Sequence, residues 1–193
     1  HMSWVFLTGR FVYKLKKPVR LDFLNFSTLE QRHLNCLEEL RLNRRLANDV
    51  YLEVIPLTAS DSGQLELGGE NEPVDWLVKM RRLPRECMLD NAIARRQVDE
   101  PQVRRIARVL ANFYQQAETI SLTTDEYIRQ FEQDIRANDM VLSEPGYSLP
   151  VKQISMISKA LQRYLSRERR IFDARVKAQR IVEAHGDLRP EHV

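Results

Sequence analysis

The chain has 193 residues, 43% of them hydrophobic, which is enough apolar material for one large domain or two small lobes around a real core. Thirty basic residues oppose twenty-seven acidic ones, and the formal net charge of +3 gives no reason by itself to expect a nucleic-acid or membrane partner. No apolar run has the length of a membrane span and the first residues lack a signal-peptide core, so the sequence predicts a soluble, cytoplasmic protein.

Two cysteines, Cys36 and Cys87, lie far apart in the sequence without C-x-x-C spacing. This spacing does not suit a zinc site, and a cytoplasmic protein keeps such thiols reduced. We therefore expect two free thiols.

The first 80 residues show the alternation typical of β-strands. A hairpin is predicted over residues 3–17 with its turn at Gly9-Arg10, and further strands at 50–57, 64–67 and 74–80, all in one antiparallel sheet. The stretch from Gly68 to Pro73 is interpreted as a hairpin turn, because no helix start or Lys-Ser/Thr follows it as a phosphate-binding loop requires.

One helix is predicted within this sheet region, over residues 28–47. Ser27 and Glu30 have the spacing of a capping box at its start, and basic residues suit its C-terminal end. Its apolar stripe, which we expect to face the core, consists of leucines at helical spacing: Leu34, Leu37, Leu40 or Leu42, and Leu46.

After residue 84 the apolar period changes to three and four, which predicts a helical second half. A helix follows Pro101, a capping box at Thr123–Glu126 begins another, and residues 144–147 break it. A long helix is predicted from Val151, with inward side chains at Ile154, Ile157, Leu161, Tyr164, Leu165 and Phe172. A short strand is predicted at residues 180–183.

The long helix carries eight basic residues against two acidic ones between Lys159 and Arg180. Such a face can bind nucleic acid or an acidic substrate, but aromatic side chains for base stacking do not interleave with it at regular spacing. A solvated helix face is therefore the favoured interpretation, and nucleic acid is not an expected partner.

The stretch His185-Gly186-Asp187-Leu188 resembles the catalytic loop of the kinase-like fold, and with Gly in the middle it resembles the aminoglycoside and choline phosphotransferase branch. In that branch Asp187 would be the catalytic base that accepts the proton of a substrate hydroxyl. His185 would brace the loop. Zinc binding by His185, Asp187 and His192 is the rival interpretation, but a second ligand cluster is missing from the sequence.

Three further stretches match this family in order along the chain. Phe11-Val12-Tyr13-Lys14 resembles the strand whose Lys binds nucleotide phosphates, and the resemblance implies Lys14 for that role and Glu39 as its partner on the following helix, with Glu38 as the alternative. Solvated surface charges are the competing explanation for each residue alone. Met80-Arg81-Arg82-Leu83-Pro84 resembles the hinge between lobes, where the backbone would meet adenine.

The resemblance covers nearly all of the chain and is nearest to a bacterial group of uncharacterised aminoglycoside-phosphotransferase-like proteins, some with an added C-terminal P-loop domain. It implies an α+β, kinase-like two-lobe fold: an antiparallel-sheet N-lobe at 1–80, a hinge at 81–84, and a helical C-lobe at 85–193, truncated at the catalytic loop. ATP, Mg²⁺ and a small hydroxylated acceptor are the implied ligands.

One position departs from the family pattern. His192 stands where the family has a magnesium-binding Asn, and an imidazole is a poor replacement because magnesium prefers oxygen ligands. The chain also ends at Val193, inside the loop, and we interpret it as a fragment that is inactive alone.

Two hypotheses follow. In the first, the longer parent protein is an ATP-dependent phosphotransferase that acts on a hydroxyl of an unknown small molecule. In the second, the chain is a non-catalytic, pseudokinase-like module that binds nucleotide or has a regulatory role.

Overall fold

A computed structural model of the chain describes residues 2–21 and 24–192, and side chains in these ranges up to residue 191. It confirms the α+β class, with an antiparallel sheet and several helices. The strands are β1 Ser3–Leu7, β2 Phe11–Lys16, β3 Arg20–Leu21, β4 Leu24–Asn25, β5 Tyr51–Ala59, β6 Leu65–Leu67 and β7 Pro73–Arg81. The helices are α1 Leu29–Ala47, α2 Leu89–Ala94, α3 Glu100–Gln116, α4 Thr124–Leu142, α5 Val151–Arg167 and α6 Arg169–Lys177.

By internal contacts the chain divides into two compact units. One contains the residues up to Phe113 together with the stretch that begins at His185, and the other is Tyr114–Ala184. The first unit therefore includes the sheet, α1 and the stretch that resembles a catalytic loop. The predicted division into lobes at 1–80 and 85–193 remains a prediction. No helix in the described parts of the chain is long and apolar enough to cross a membrane.

The main sheet of the first unit has the order β1-β2-β7-β5-β6, with every neighbouring pair antiparallel. The predicted hairpin of β1 and β2 is present, with Thr8 and Phe11 hydrogen-bonded around the turn. The predicted hairpin turn at 68–73 is wrong. Because β6 and β7 lie on opposite sides of β5, residues 68–72 connect two strands that do not pair, and the hairpin turn is at 60–64 instead.

Helix α1 begins one residue later than its predicted cap. The Thr28 hydroxyl accepts from the Gln31 amide at 3.2 Å, whereas Ser27 donates its amide and its hydroxyl to the Asn25 side chain. The predicted capping box of Ser27 and Glu30 is therefore wrong, because the Ser27 hydroxyl is already used in the preceding turn.

The predicted apolar stripe of α1 is wrong at Leu34 and Leu37, which are exposed, whereas Leu40, Leu42 and Leu46 are partly buried. The helix packs on β7 and β5 with a different face, on which Arg32 and Cys36 are buried. Arg32 donates to Asp75 of β7 at 2.8 Å, so the interface is held by charge as well as by apolar contact. The face is polar because the sheet strands beneath it carry charged side chains.

The second unit is built around α4. The predicted capping box of Thr123 and Glu126 is present, and Tyr127 packs against a core of Ile128, Ile135, Leu165 and Phe172. The predicted long helix from Val151 is broken at Glu168, whose ψ of 25° leaves the helical range. The break lets both α5 and α6 pack against α4.

Three predicted inward residues of α5, Ile157, Leu161 and Tyr164, are exposed instead, because α4 covers a narrower face of that helix than the apolar pattern suggests. The predicted strand at 180–183 is reduced to a single bridge between Thr119 and Val182.

Candidate functional site

Strand β2 and helix α1 bring three charged side chains together in the first unit. Lys14 Nζ lies 2.8 Å from Glu39 Oε1, and Lys16 Nζ lies 2.6 Å from Glu39 Oε2. The two lysines share one face of the sheet because side chains two residues apart on a strand point the same way. Glu39 faces them because it follows the buried Arg32 and Cys36 at helical spacing on α1. Each oxygen of one carboxylate thus binds a different cation.

The three side chains differ in their access to solvent. Lys16 is 6% exposed and Glu39 is 14% exposed, whereas Lys14 is 33% exposed. The Lys16 ammonium also lies 4.9 Å from the centre of the buried Phe26 ring, within the range of a cation–π contact. Lys14 is therefore the cation of this cluster that a ligand can reach.

The electrostatics of the cluster keep Glu39 ionised. Burial by itself raises the pKa of Glu39, but the charges and hydrogen bonds of Lys14 and Lys16 outweigh it, so that the pKa lies below its usual value. Burial, with a smaller effect of the Glu39 charge, raises the pKa of nearby Tyr51 to about 12. Two cations and one anion leave the cluster with an excess positive charge, which favours an anionic ligand.

Of the two carboxylates considered from the sequence, Glu39 is the one that meets Lys14. Glu38 is half exposed and binds Arg41 one turn along the same helix, at 2.7 Å. The structure therefore places the predicted strand Lys and the preferred helix Glu in direct contact. Their role with a nucleotide remains a prediction.

The predicted hinge residues lie at the end of β7. Met80 is paired with Val12 of β2 and Tyr51 of β5. The Arg81 amide donates to the Val50 carbonyl at 2.8 Å, and the Arg82 amide donates to the Arg10 carbonyl at 3.0 Å. Both amides thus belong to the sheet, and a contact with adenine would have to use other backbone groups of this segment.

The stretch with the predicted catalytic residues forms a turn in the same unit. Gly186 has a φ of +81°, a conformation that a residue without Cβ adopts freely, and the Asp187 amide donates to His185 Nδ1 at 3.3 Å. The Asp187 carboxylate is exposed, with Arg189 Nε at 3.3 Å from Oδ1. His185 therefore contacts the backbone of Asp187, and the roles of the two residues in catalysis remain predictions.

His192 ends a short 3₁₀ turn, Pro190–His192, that packs against α2. Its side chain lies outside the described residues, so its predicted metal contact is not tested. In the part of the chain that is described, no group of three or more His, Cys, Asp or Glu side chains is placed to hold a metal ion.

Lys16 was not expected from the sequence to belong to this cluster. Its signal was its position, since residues 14 and 16 of one strand must share a face. The Arg32–Asp75 pair beside it was missed as well. An Arg on a helix indicates a buried ion pair only if the side of the helix that faces the sheet is already known, and the sequence does not show that side.

Comparison with known proteins gives relatives without an assigned activity. Uncharacterised proteins of Mycobacterium bovis and of two strains of Mycobacterium tuberculosis are each 32% identical to this chain over 190 residues. The match covers 97% of the chain but 36% of each relative, so the chain spans about a third of their length. No family model matches the chain. No solved structure matches it.

Proposed function

We propose that this chain is the nucleotide-binding part of an ATP-dependent phosphotransferase with a kinase-like, two-lobe architecture, similar to the aminoglycoside phosphotransferases. The observation that carries the proposal is the 2.8 Å ion pair between Lys14 on a sheet strand and Glu39 on the helix that packs on that sheet. In kinase-like enzymes a strand Lys held by a helix Glu positions the nucleotide phosphates. Partial exposure of Lys14 and the excess positive charge of the cluster suit the same task.

The proposed reaction moves the γ-phosphoryl group of ATP to a hydroxyl of a small molecule. The acceptor oxygen forms a bond to the γ-phosphorus, the bond to the β,γ-bridging oxygen breaks, and ADP leaves. Asp187 takes the proton of the acceptor hydroxyl, and its exposed carboxylate is open to such a molecule. His185 holds the amide of Asp187 and so orients the base.

Magnesium enters this proposal as part of the MgATP substrate. A site for magnesium on the protein would need several oxygen ligands. The loop has His192, an imidazole residue, at the family's Asn position, and Asp187 lies beside the Arg189 guanidinium. These residues do not fit a resident magnesium ion, and no step is assigned to one.

A second function stays open because of His192. A chain that binds nucleotide through Lys14 but lacks the family's metal ligand would be a non-catalytic, pseudokinase-like module.

In either case we propose a cytoplasmic protein whose partners are ATP and, for the enzyme, a hydroxylated metabolite. A P-loop domain elsewhere in the longer protein is a further proposal from the resemblance. We expect neither nucleic acid nor a membrane as a partner.

Calorimetric titration with MgATP tests the nucleotide site. We expect Lys14→Met to weaken ATP binding by about tenfold or more, because a charge-assisted phosphate contact is lost. Lys17→Met is the matched control, since it removes the same charge from a neighbouring lysine whose ammonium lies over the Trp4 ring at 5.3 Å. Equal ATP affinities in these two variants would contradict the assignment of Lys14.

ATP turnover separates the two functions when it is measured in the longer parent protein, both unaltered and with Asp187→Asn, since this chain alone is expected to be inactive. If the protein is the enzyme, Asp187→Asn keeps ATP binding and loses phosphotransfer or hydrolysis, because the amide cannot accept the proton. Binding without turnover in the unaltered protein would favour the non-catalytic module. Equal turnover in the unaltered protein and in Asp187→Asn would refute Asp187 as the base.

A further inference from the structure

We propose that Lys16 is a positioning residue of the nucleotide site, which holds Glu39 from the buried side and so lets Lys14 turn toward a phosphate without leaving the carboxylate unpaired. This inference rests on the proposed function and assigns Lys16 a role in the same site. It concerns a buried cation that the resemblance to phosphotransferases does not assign.

The geometry of Glu39 is divided between the two lysines. Oε1 faces Lys14 and Oε2 faces Lys16, so neither lysine replaces the other at the carboxylate. Lys16 is fixed from a second direction by the Phe26 ring, and it is 6% exposed. Lys14 has no such burial, because a third of its side chain is open to solvent.

The difference in burial decides which cation can leave. A carboxylate that is 14% exposed pays a large desolvation penalty if its partners withdraw. If Lys14 were its only cation, a phosphate would have to compete with Glu39 for that ammonium. With Lys16 in place, Glu39 keeps a charged partner whether Lys14 points to the helix or to the ligand.

The test compares ATP affinity in four forms of the protein: unaltered, Lys16→Met, Lys14→Met and the double variant. We expect Lys16→Met to lower ATP affinity by about tenfold, which corresponds to about 1.4 kcal/mol. The same substitution should have little effect in the Lys14→Met background, because Lys16 acts through Glu39 and Lys14. A merely structural contribution of Lys16 would reduce the affinity equally in both backgrounds.

Two further variants control the experiment. Lys16→Arg keeps a cation that can reach Glu39 and should restore most of the ATP affinity, whereas Lys17→Met removes an adjacent charge and should change it little. If Lys16→Met does not fold, Lys16→Gln serves in its place, because its amide still donates a hydrogen bond but carries no charge. The carboxyl ¹³C signal of Glu39 provides a separate measurement, and its titration should move to higher pH in Lys16→Met.

The outcomes distinguish the two proposals. If the unaltered protein binds ATP and Lys16→Met binds it equally well or more tightly, the role of Lys16 is refuted while the nucleotide site stands. If the unaltered protein does not bind ATP, the proposed function fails and the positioning role fails with it. An altered Glu39 titration in that case would show Lys16 to be a structural partner of the carboxylate only.

Discussion

Replacing Glu39 by Gln should destabilise the first unit strongly, because it removes the carboxylate that two lysines share. Removing one partner of a buried ion pair costs about 3–5 kcal/mol. The pair of Glu39 with Lys16 counts as buried, because the Lys16 side chain is 6% exposed. The pair with Lys14, whose side chain is 33% exposed, should contribute no more than about 1 kcal/mol to the free energy of unfolding. Gln keeps one oxygen acceptor, so we expect a loss of about 3 kcal/mol, at the lower end of the range for a broken buried pair.

Urea unfolding followed by tryptophan fluorescence measures this loss. Both tryptophans of the sequence, Trp4 and Trp76, lie in the first unit, so their signal reports on the unit that contains Glu39. Trp76 also stacks on His33 of α1 at 3.7 Å, which makes it sensitive to separation of the helix from the sheet. With a slope of about 2 kcal/mol per molar urea, a loss of about 3 kcal/mol moves the midpoint by about 1.5 M.

The effect should depend on pH in a defined direction. Because the pKa of Glu39 is lower in the folded protein than its ordinary value, the stabilisation by its charge is present above the unfolded pKa. It is lost as the pH falls through the folded pKa, where Glu39 becomes neutral like Gln. The difference in the free energy of unfolding between the unaltered protein and Glu39→Gln should therefore have its full value at pH 7 and decrease below about pH 4.

Glu38→Gln is the matched control for this experiment, since it makes the same chemical change one residue earlier on the same helix. Its half-exposed pair with Arg41 should be worth no more than about 0.5 kcal/mol. Equal midpoints for the Glu38 and Glu39 variants at pH 7 would refute the argument from burial. A Glu39 effect that stays constant down to acid pH would refute the argument from charge.

Three further substitutions or reagents test other parts of the structure. A thiol reagent at pH 8 should modify exposed Cys87 quickly and Cys36 only on unfolding, because burial raises the Cys36 pKa to about 11; rapid modification of both would contradict this. Asp75→Ala should lower the stability of the first unit by about 3 kcal/mol, because it leaves the buried Arg32 guanidinium without its carboxylate, and an unchanged urea midpoint would contradict this. Thr123→Ala should cost about 1 kcal/mol in the second unit by circular dichroism, because α4 loses its cap, and a loss below about 0.3 kcal/mol would count against the capping box.

Several elements of the fold could be predicted because the local sequence alone determines them. The β1–β2 hairpin follows from alternating side chains around a Gly-containing turn, and the start of α4 follows from the Thr123–Glu126 spacing. The pairing of Lys14 with Glu39 was predicted from a resemblance that links two distant segments. Alternation and helical periodicity do not contain that information.

The elements that failed depend on which face another element covers. Leucines at helical spacing on α1 suggested a core face, yet Leu34 and Leu37 are exposed, because the sheet beneath the helix offers charges that bind Arg32 and Glu39 instead. Glycines at 68–69 indicated the end of a strand, but the segment that follows crosses β5 to join β6 to β7, which run parallel to each other, and does not reverse the chain into a hairpin. Both predictions failed because they used local sequence patterns, whereas the buried face of a helix and the pairing of strands depend on tertiary contacts.

The polar face of α1 bears on function as well as on fold. Buried ion pairs contribute little net stability, since desolvation offsets their attraction, and apolar residues of similar volume are often neutral or stabilising in their place. A need for stability therefore does not account for Lys16 and Glu39 in the interface. What they provide is an ionised carboxylate held at a fixed place, with one partly exposed cation, Lys14, at its outer oxygen. That arrangement is of use to an anionic ligand at the surface, and this is the physical reason for interpreting the cluster as a phosphate site.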